Sequence, residues 1–154
     1  MLQYNMARKK IPDTVTSKTT LFRFMQRSYD EAFSLLVFAR DFFTMHSKTD
    51  KPLLPRDQQL IYTLALSTIT TQLTSVMAWL LLCKAIENGE VSAKDIDCED
   101  FAVPVFAPDI THNDSCFSVL NATAKEIMEK SHSIYTRVKR MEESVREQLL
   151  EEAR

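Results

Sequence analysis

Only a few residues in this sequence have types and spacings that do chemistry. Glu129 and His132 stand three apart, the Glu-x-x-His spacing used by carboxylate-bridged metal sites inside helical bundles. Such a site takes two of these motifs and further inward carboxylates, and the chain offers one. Counting along the stripe of the same segment, Ile127, Ser131 and Ile134, puts Glu129 and His132 on the opposite, solvated face. The spacing therefore reads as two surface residues. His112 and Cys116 are four apart near a helix start, close enough to share a metal. Only Asp109 and Asp114 stand by to complete that set, whereas structural zinc takes a fuller group of Cys and His. With a single glycine the chain cannot build a Gly-rich phosphate loop. Its Ser, His, Asp and Cys residues lack the strand-turn-helix frame of a nucleophilic triad. The expectation is a chain with no catalytic residue, no metal and no cofactor.

The remaining candidates concern binding. Arg137, Lys139, Arg140 and Arg146 form a modest basic cluster late in the chain. Glu142, Glu143 and Glu147 lie among them, as on a solvated mixed-charge face. The sharper reading makes the four basic residues a docking patch for a protein partner. A net charge of −2 over 154 residues gives no electrostatic case for nucleic acid.

These residues must be carried by helices. One glycine and five prolines leave little material for the turns that sheets and hairpins consume. The composition points to an all-α fold of few, long elements. Residues 1–19 lack periodicity and read as a mobile arm. A first helix over about 20–46 places Met25, Tyr29, Ala32, Leu36, Ala39 and Phe43 on one face, widened by Phe22, Phe33, Val37 and Phe42. Pro55 suits the opening turn of a second helix, about 55–88, which Asn88-Gly89 stops. The third, about 115–148, starts at Asp114 or Ser115 and carries the cleanest stripe: Leu120, Ala124, Ile127, Ser131, Ile134, Val138, Met141 and Val145. Past Met141 the stripe weakens, so 149–154 reads as a frayed tail. Residues 20–148 then form one domain, an antiparallel three-helix bundle with a long connection over 89–114. The apolar Phe101, Val103, Val105 and Phe106 of that connection pack on the bundle as a flap.

The second helix is the centre. It is apolar on nearly every side, and from Gln58 to Cys83 it has no charged residue. That run is long enough to cross a bilayer, but its ten Ser, Thr and Gln residues mark a helix of a protein core and not a membrane span. Leu73, Val76, Trp79 and Leu80, with Tyr135 from the third helix, are the expected core and dimer-supporting residues. One stripe of the helix, Leu60, Leu64, Ser67, Thr71, Thr74, Ala78, Leu81 and Ala85, is rich in small residues that permit close helix approach. Two neighbours do not use up this circumference, so a second copy of the chain is expected across it. Three cysteines, Cys83, Cys98 and Cys116, odd in number and without a CxxC pair, and the expected lack of a cleavable leader point to a reducing cytoplasm with free thiols.

The segment from Thr70 to Glu90 resembles the central helix of the small alphaproteobacterial regulators of CtrA degradation. The matches are Thr70, Thr71, Ala78, Trp79, Leu80, Leu81, Ala85, Gly89 and Glu90. Tyr135, Arg137, Val138 and Arg140 fit a second run of that family, and Ser28, Tyr29, Asp30, Glu31 and Leu35 fit a third more loosely. Relatives carry an arginine beside the Thr-Thr pair, where this chain has Ile69 and Gln72. The resemblance covers about residues 20–145, outside the 95–114 connection. It implies a dimeric helical bundle without catalytic activity, an adaptor that helps the ClpXP protease destroy cell-cycle regulators. The implied partners are the protease unfoldase, response-regulator-like proteins and cargo. Two alternatives from other classes are a structural dimer that binds one partner helix and a metal- or ligand-binding bundle.

Overall fold

The computed structural model describes residues 13–92, 102–103 and 115–152. These form three long helices, α1 (Asp13–Thr49), α2 (Arg56–Glu87) and α4 (Ala122–Glu152), and one short one, α3 (Ser115–Val119). A 3-10 turn, Lys51–Leu53, joins α1 to α2. No strand occurs among the described residues, so the all-α bundle expected from the scarcity of glycine is what forms.

Pro55 is extended at the entrance to α2 (φ −54°, ψ 152°), and its carbonyl accepts the first helical bond, from Gln59 N–H. At the other end Gly89 takes φ +74°. Its N–H donates to Ile86 O at 3.0 Å and that of Glu90 to Ala85 O at 2.9 Å, the paired bonds of a Schellman stop. The boundaries of α2 thus fall where Pro55 and Asn88-Gly89 put them.

The other two helices differ from the sequence reading at their ends. α1 begins at Asp13, several residues before its apolar stripe. Extending a helix that packing has already nucleated adds a hydrogen bond per residue at little cost; the rest of the expected arm lies outside the described residues. The third helix is interrupted. Leu120 N–H bonds to Phe117 O, closing α3, and Asn121 then caps α4 with Oδ1 accepting the Ala124 N–H at 2.8 Å. At its far end α4 stays helical to Glu152, beyond the weakening of its stripe.

The three long helices do not alternate in direction. Asn121 N–H donates to Tyr62 Oη at 2.7 Å and Ser131 Oγ to Gln72 Oε1 at 2.9 Å, both across a separation of 59 residues. Cys83 and Glu142 interact at the same separation. A constant offset means that α4 runs parallel to α2. α1 runs against both, with His46 on Tyr62, Lys84 bonded to Gln26, and Arg137 paired with Glu31. The chain must therefore return about 40 Å between the end of α2 and the start of α4, which accounts for a connection too long for a turn.

The core lies between the three helices. The stripe read for α4 is buried: Ala124, Ile127, Ser131, Ile134 and Val138 are 0–2% exposed. On α1 the buried line is Ser28, Ala32, Leu35, Ala39, Phe43 and His46, so two polar residues belong to it and Phe33 is turned out. Leu73, Val76, Trp79, Leu80 and Tyr135 are all buried within the single chain. They are core residues, and none of them is left to face a second copy.

Candidate protein-interaction site

The basic cluster on α4 does not act as one patch. Arg137 reaches across to Glu31 on α1. Lys139 is turned inward, its Nζ donating to Glu142 Oε2 at 2.8 Å and to the Val103 carbonyl at 2.9 Å. Arg146 Nε stands 3.6 Å from the other oxygen of Glu142. Glu142 itself is fully buried, contrary to the solvated face expected for it. A carboxylate is tolerated there because two cations converge on it. The result is a buried ionic node that ties Val103, in the connection, to α4. Val103 is 1% exposed, as the expected flap requires; Phe101, Val105 and Phe106 lie outside the described residues. Arg140 is left exposed and is the one member of the four without an ion pair among the described residues.

Glu129 and His132 are both exposed on α4, where the stripe placed them. His112, Asp109 and Asp114 lie outside the described residues, as does the side chain of Cys116. No group of three or more His, Cys, Asp or Glu among the described residues is placed to hold a metal ion. Burial, reinforced by the nearby Glu142 carboxylate, pushes the Cys83 thiol up to about 12. That keeps it protonated at neutral pH and withholds the thiolate a nucleophile needs.

One feature of the sequence went unread. His46 is buried at the end of α1, stacked on Tyr62 with ring centroids 4.2 Å apart and flanked by Phe42. Tyr62 in turn accepts the Asn121 N–H, so one aromatic stack joins the ends of all three long helices. The signal available for it was the Phe43-x-x-His46 spacing on the buried line of α1, with Phe42 one turn before His46. The small-residue stripe read on α2 is the outward face of that helix. Leu60, Leu64 and Leu81 are 59%, 41% and 49% exposed, and Ser67, Thr74 and Ala78 between them are also exposed. By length and composition α2 is apolar enough to cross a membrane, with a third of its most apolar window buried in this chain. It is thus a core helix on one side and an uncovered one on the other. Beside that face, Phe33, Leu36, Val37, Arg40, Leu66 and Thr70 line an apolar groove of about 670 Å³ between α1 and α2.

This geometry defines a helical bundle whose surfaces suit protein contacts. The chain belongs to the family described as "Protein of unknown function (DUF1465)", whose model matches residues 16–154. No curated protein matches it. Among solved structures it is similar to RcdA from Caulobacter crescentus CB15, with a TM-score of 0.57 and 21% identity over 76% of this chain and 86% of that one. The chain is therefore RcdA-like in fold, as the resemblance read from Thr70–Glu90 implied.

Proposed function

We propose that this chain is a non-enzymatic cytoplasmic adaptor that acts as a homodimer and helps deliver cell-cycle regulatory proteins to the ClpXP protease. The observation that carries this reading is the RcdA-like bundle together with the matching residues of α2, Thr70, Thr71, Trp79 and Gly89 among them. In such a scheme the protease does the chemistry, and the adaptor raises the effective concentration of cargo at its entrance. Arg140, exposed and without an ion pair among the described residues, is the basic residue with most to offer a partner, and Arg137 and Arg146 lie along the same helix.

The test is a degradation assay with purified ClpXP and a fluorescent response-regulator cargo, with and without the chain. Faster cargo loss is expected with it, and Arg140→Glu is expected to reduce the gain while leaving helicity by circular dichroism unchanged. A cargo half-life that does not respond to the added chain overturns the adaptor reading.

A further inference from the structure

The uncovered face of α2 has a symmetry of its own. We infer that two copies of the chain pack α2 against α2 in antiparallel fashion, about a two-fold axis between Thr70 and Thr71. The inference deepens the homodimer part of the proposed function and rests on it.

Exposed residues follow the four-three spacing of a helix seam along the whole of α2, from Leu60 through Ser67 and Thr74 to Leu81. A solvated helix face ordinarily carries charge, and this one has none between Gln58 and Cys83. Two of its hydroxyls are turned back on their own backbone. Thr74 Oγ1 donates to Thr70 O at 2.7 Å, and Thr63 Oγ1, which accepts from Lys51 Nζ at 2.8 Å, donates to Gln59 O at 3.1 Å. Covering those two strands no donor.

A second copy fits this face better than an unrelated helix does. An axis between Thr70 and Thr71 sets Leu60 against the partner's Leu81 and Ser67 against the partner's Thr74. Large residues then meet at the ends and small ones at the centre, where the backbones come closest. The same register sets Asp57 opposite the partner's Lys84, and symmetry repeats the pair at the other end. Both side chains are exposed, and neither makes an ion pair among the described residues of one chain. Arg56 and Glu87 lie within reach of one another in the same arrangement. A parallel dimer would bring Asp57 to Asp57 and Lys84 to Lys84, so the terminal charges select the antiparallel pairing.

The experiment is sedimentation velocity on the full chain, on Asp57→Lys, on Lys84→Asp and on the double variant, with Thr74→Arg as a probe of the face. The expected result is a dimer that each single reversal weakens by roughly tenfold or more in Kd, that the double variant restores, and that Thr74→Arg abolishes. All three substitutions are at exposed positions, and circular dichroism reports whether the bundle persists. A dimer broken by Thr74→Arg but indifferent to the charge reversals overturns the register. A dimer indifferent to all of them overturns the face and leaves the homodimer standing. A monomer, whether free or bound to phospholipid vesicles, overturns the inference together with the homodimer; the degradation assay then decides separately whether the adaptor role survives.

Discussion

The two sides of α2 have the same seven-residue rhythm and opposite fates. The covered side presents Ile69, Leu73 and Val76, all fully buried, to α1 and α4. The uncovered side presents Ser67, Thr71, Thr74 and Ala78, with leucines only towards the ends. Periodicity alone does not separate these sides. What separates them is volume, because a core filled at crystal-like density needs branched side chains, whereas a stripe of small residues suits the close approach of another helix. Polar groups are also managed differently. The covered side joins them across helices, Gln72 to Ser131 and Tyr62 to Asn121, while on the uncovered side Thr74 returns its hydroxyl to its own backbone.

The comparison breaks or holds most clearly at Leu73 and Thr74, neighbours on opposite sides. Leu73→Ala removes a fully buried side chain and is expected to cost about 2–5 kcal/mol. Thr74→Ala changes an exposed one and is expected to stay within about 0.5 kcal/mol. Urea titration followed by circular dichroism measures both, and similar losses at the two positions would show that the sides do not differ as described.

Glu142 carries the next largest effect. Glu142→Ala leaves Lys139, mostly buried, with the Val103 carbonyl as its remaining partner, and is expected to cost about 2–3 kcal/mol. The same variant is expected to speed amide exchange at Val103, since the node is what ties the connection to α4. An unchanged exchange rate there would mean that Val103 is held by its apolar contacts instead.

Glu142 also shows why part of the candidate site was hidden in the sequence. The α4 stripe was legible because Ala124, Ile127, Ile134 and Val138 are apolar and buried alike. Glu142 lies on the buried side of that helix, yet a glutamate among arginines reads as surface until the two cations that neutralise it are placed in space. Ser28 and His46 misled in the same way on α1, where polar residues complete the buried line and the apolar Phe33 lies off it. The break at Asn121 was missed because a cap inside a continuous stripe leaves no mark on the period. The direction of α4 depended on the length of the connection, which excludes a tight turn without saying which way the next helix runs. By contrast, Pro55 and Gly89 act on their own backbone, and their effects could be read without any tertiary context.

Smaller again is the junction at the head of the bundle. Tyr62→Phe keeps the ring stacked on His46 but removes the acceptor of the Asn121 N–H, for about 1 kcal/mol. Asn121→Ala removes the cap of α4 and is expected to cost about the same. Asn121→Ala keeps the backbone N–H that Tyr62 accepts and removes only the Oδ1 cap, so the two losses are expected to add. A coupling energy in a double-mutant cycle would show that the cap and the stack depend on one another.

The smallest effect, absent at neutral pH, concerns Cys83, which sits between the two sides of α2. Burial holds its thiol protonated up to about 12, against an ordinary value of 9.0. The unfolded chain therefore releases this proton at lower pH than the folded chain does, and between those values the folded state binds more protons. Stability falls with rising pH wherever that holds, so the contribution of Cys83 is intact below pH 9 and is lost progressively towards pH 12. Lysines and tyrosines titrate in the same range, so the quantity to measure is the difference in Tm between the protein and Cys83→Ala. That difference is expected to be constant up to about pH 9 and then to move in favour of the variant. A difference that stays flat through pH 11 would place the thiol in contact with water, on the uncovered side of the helix.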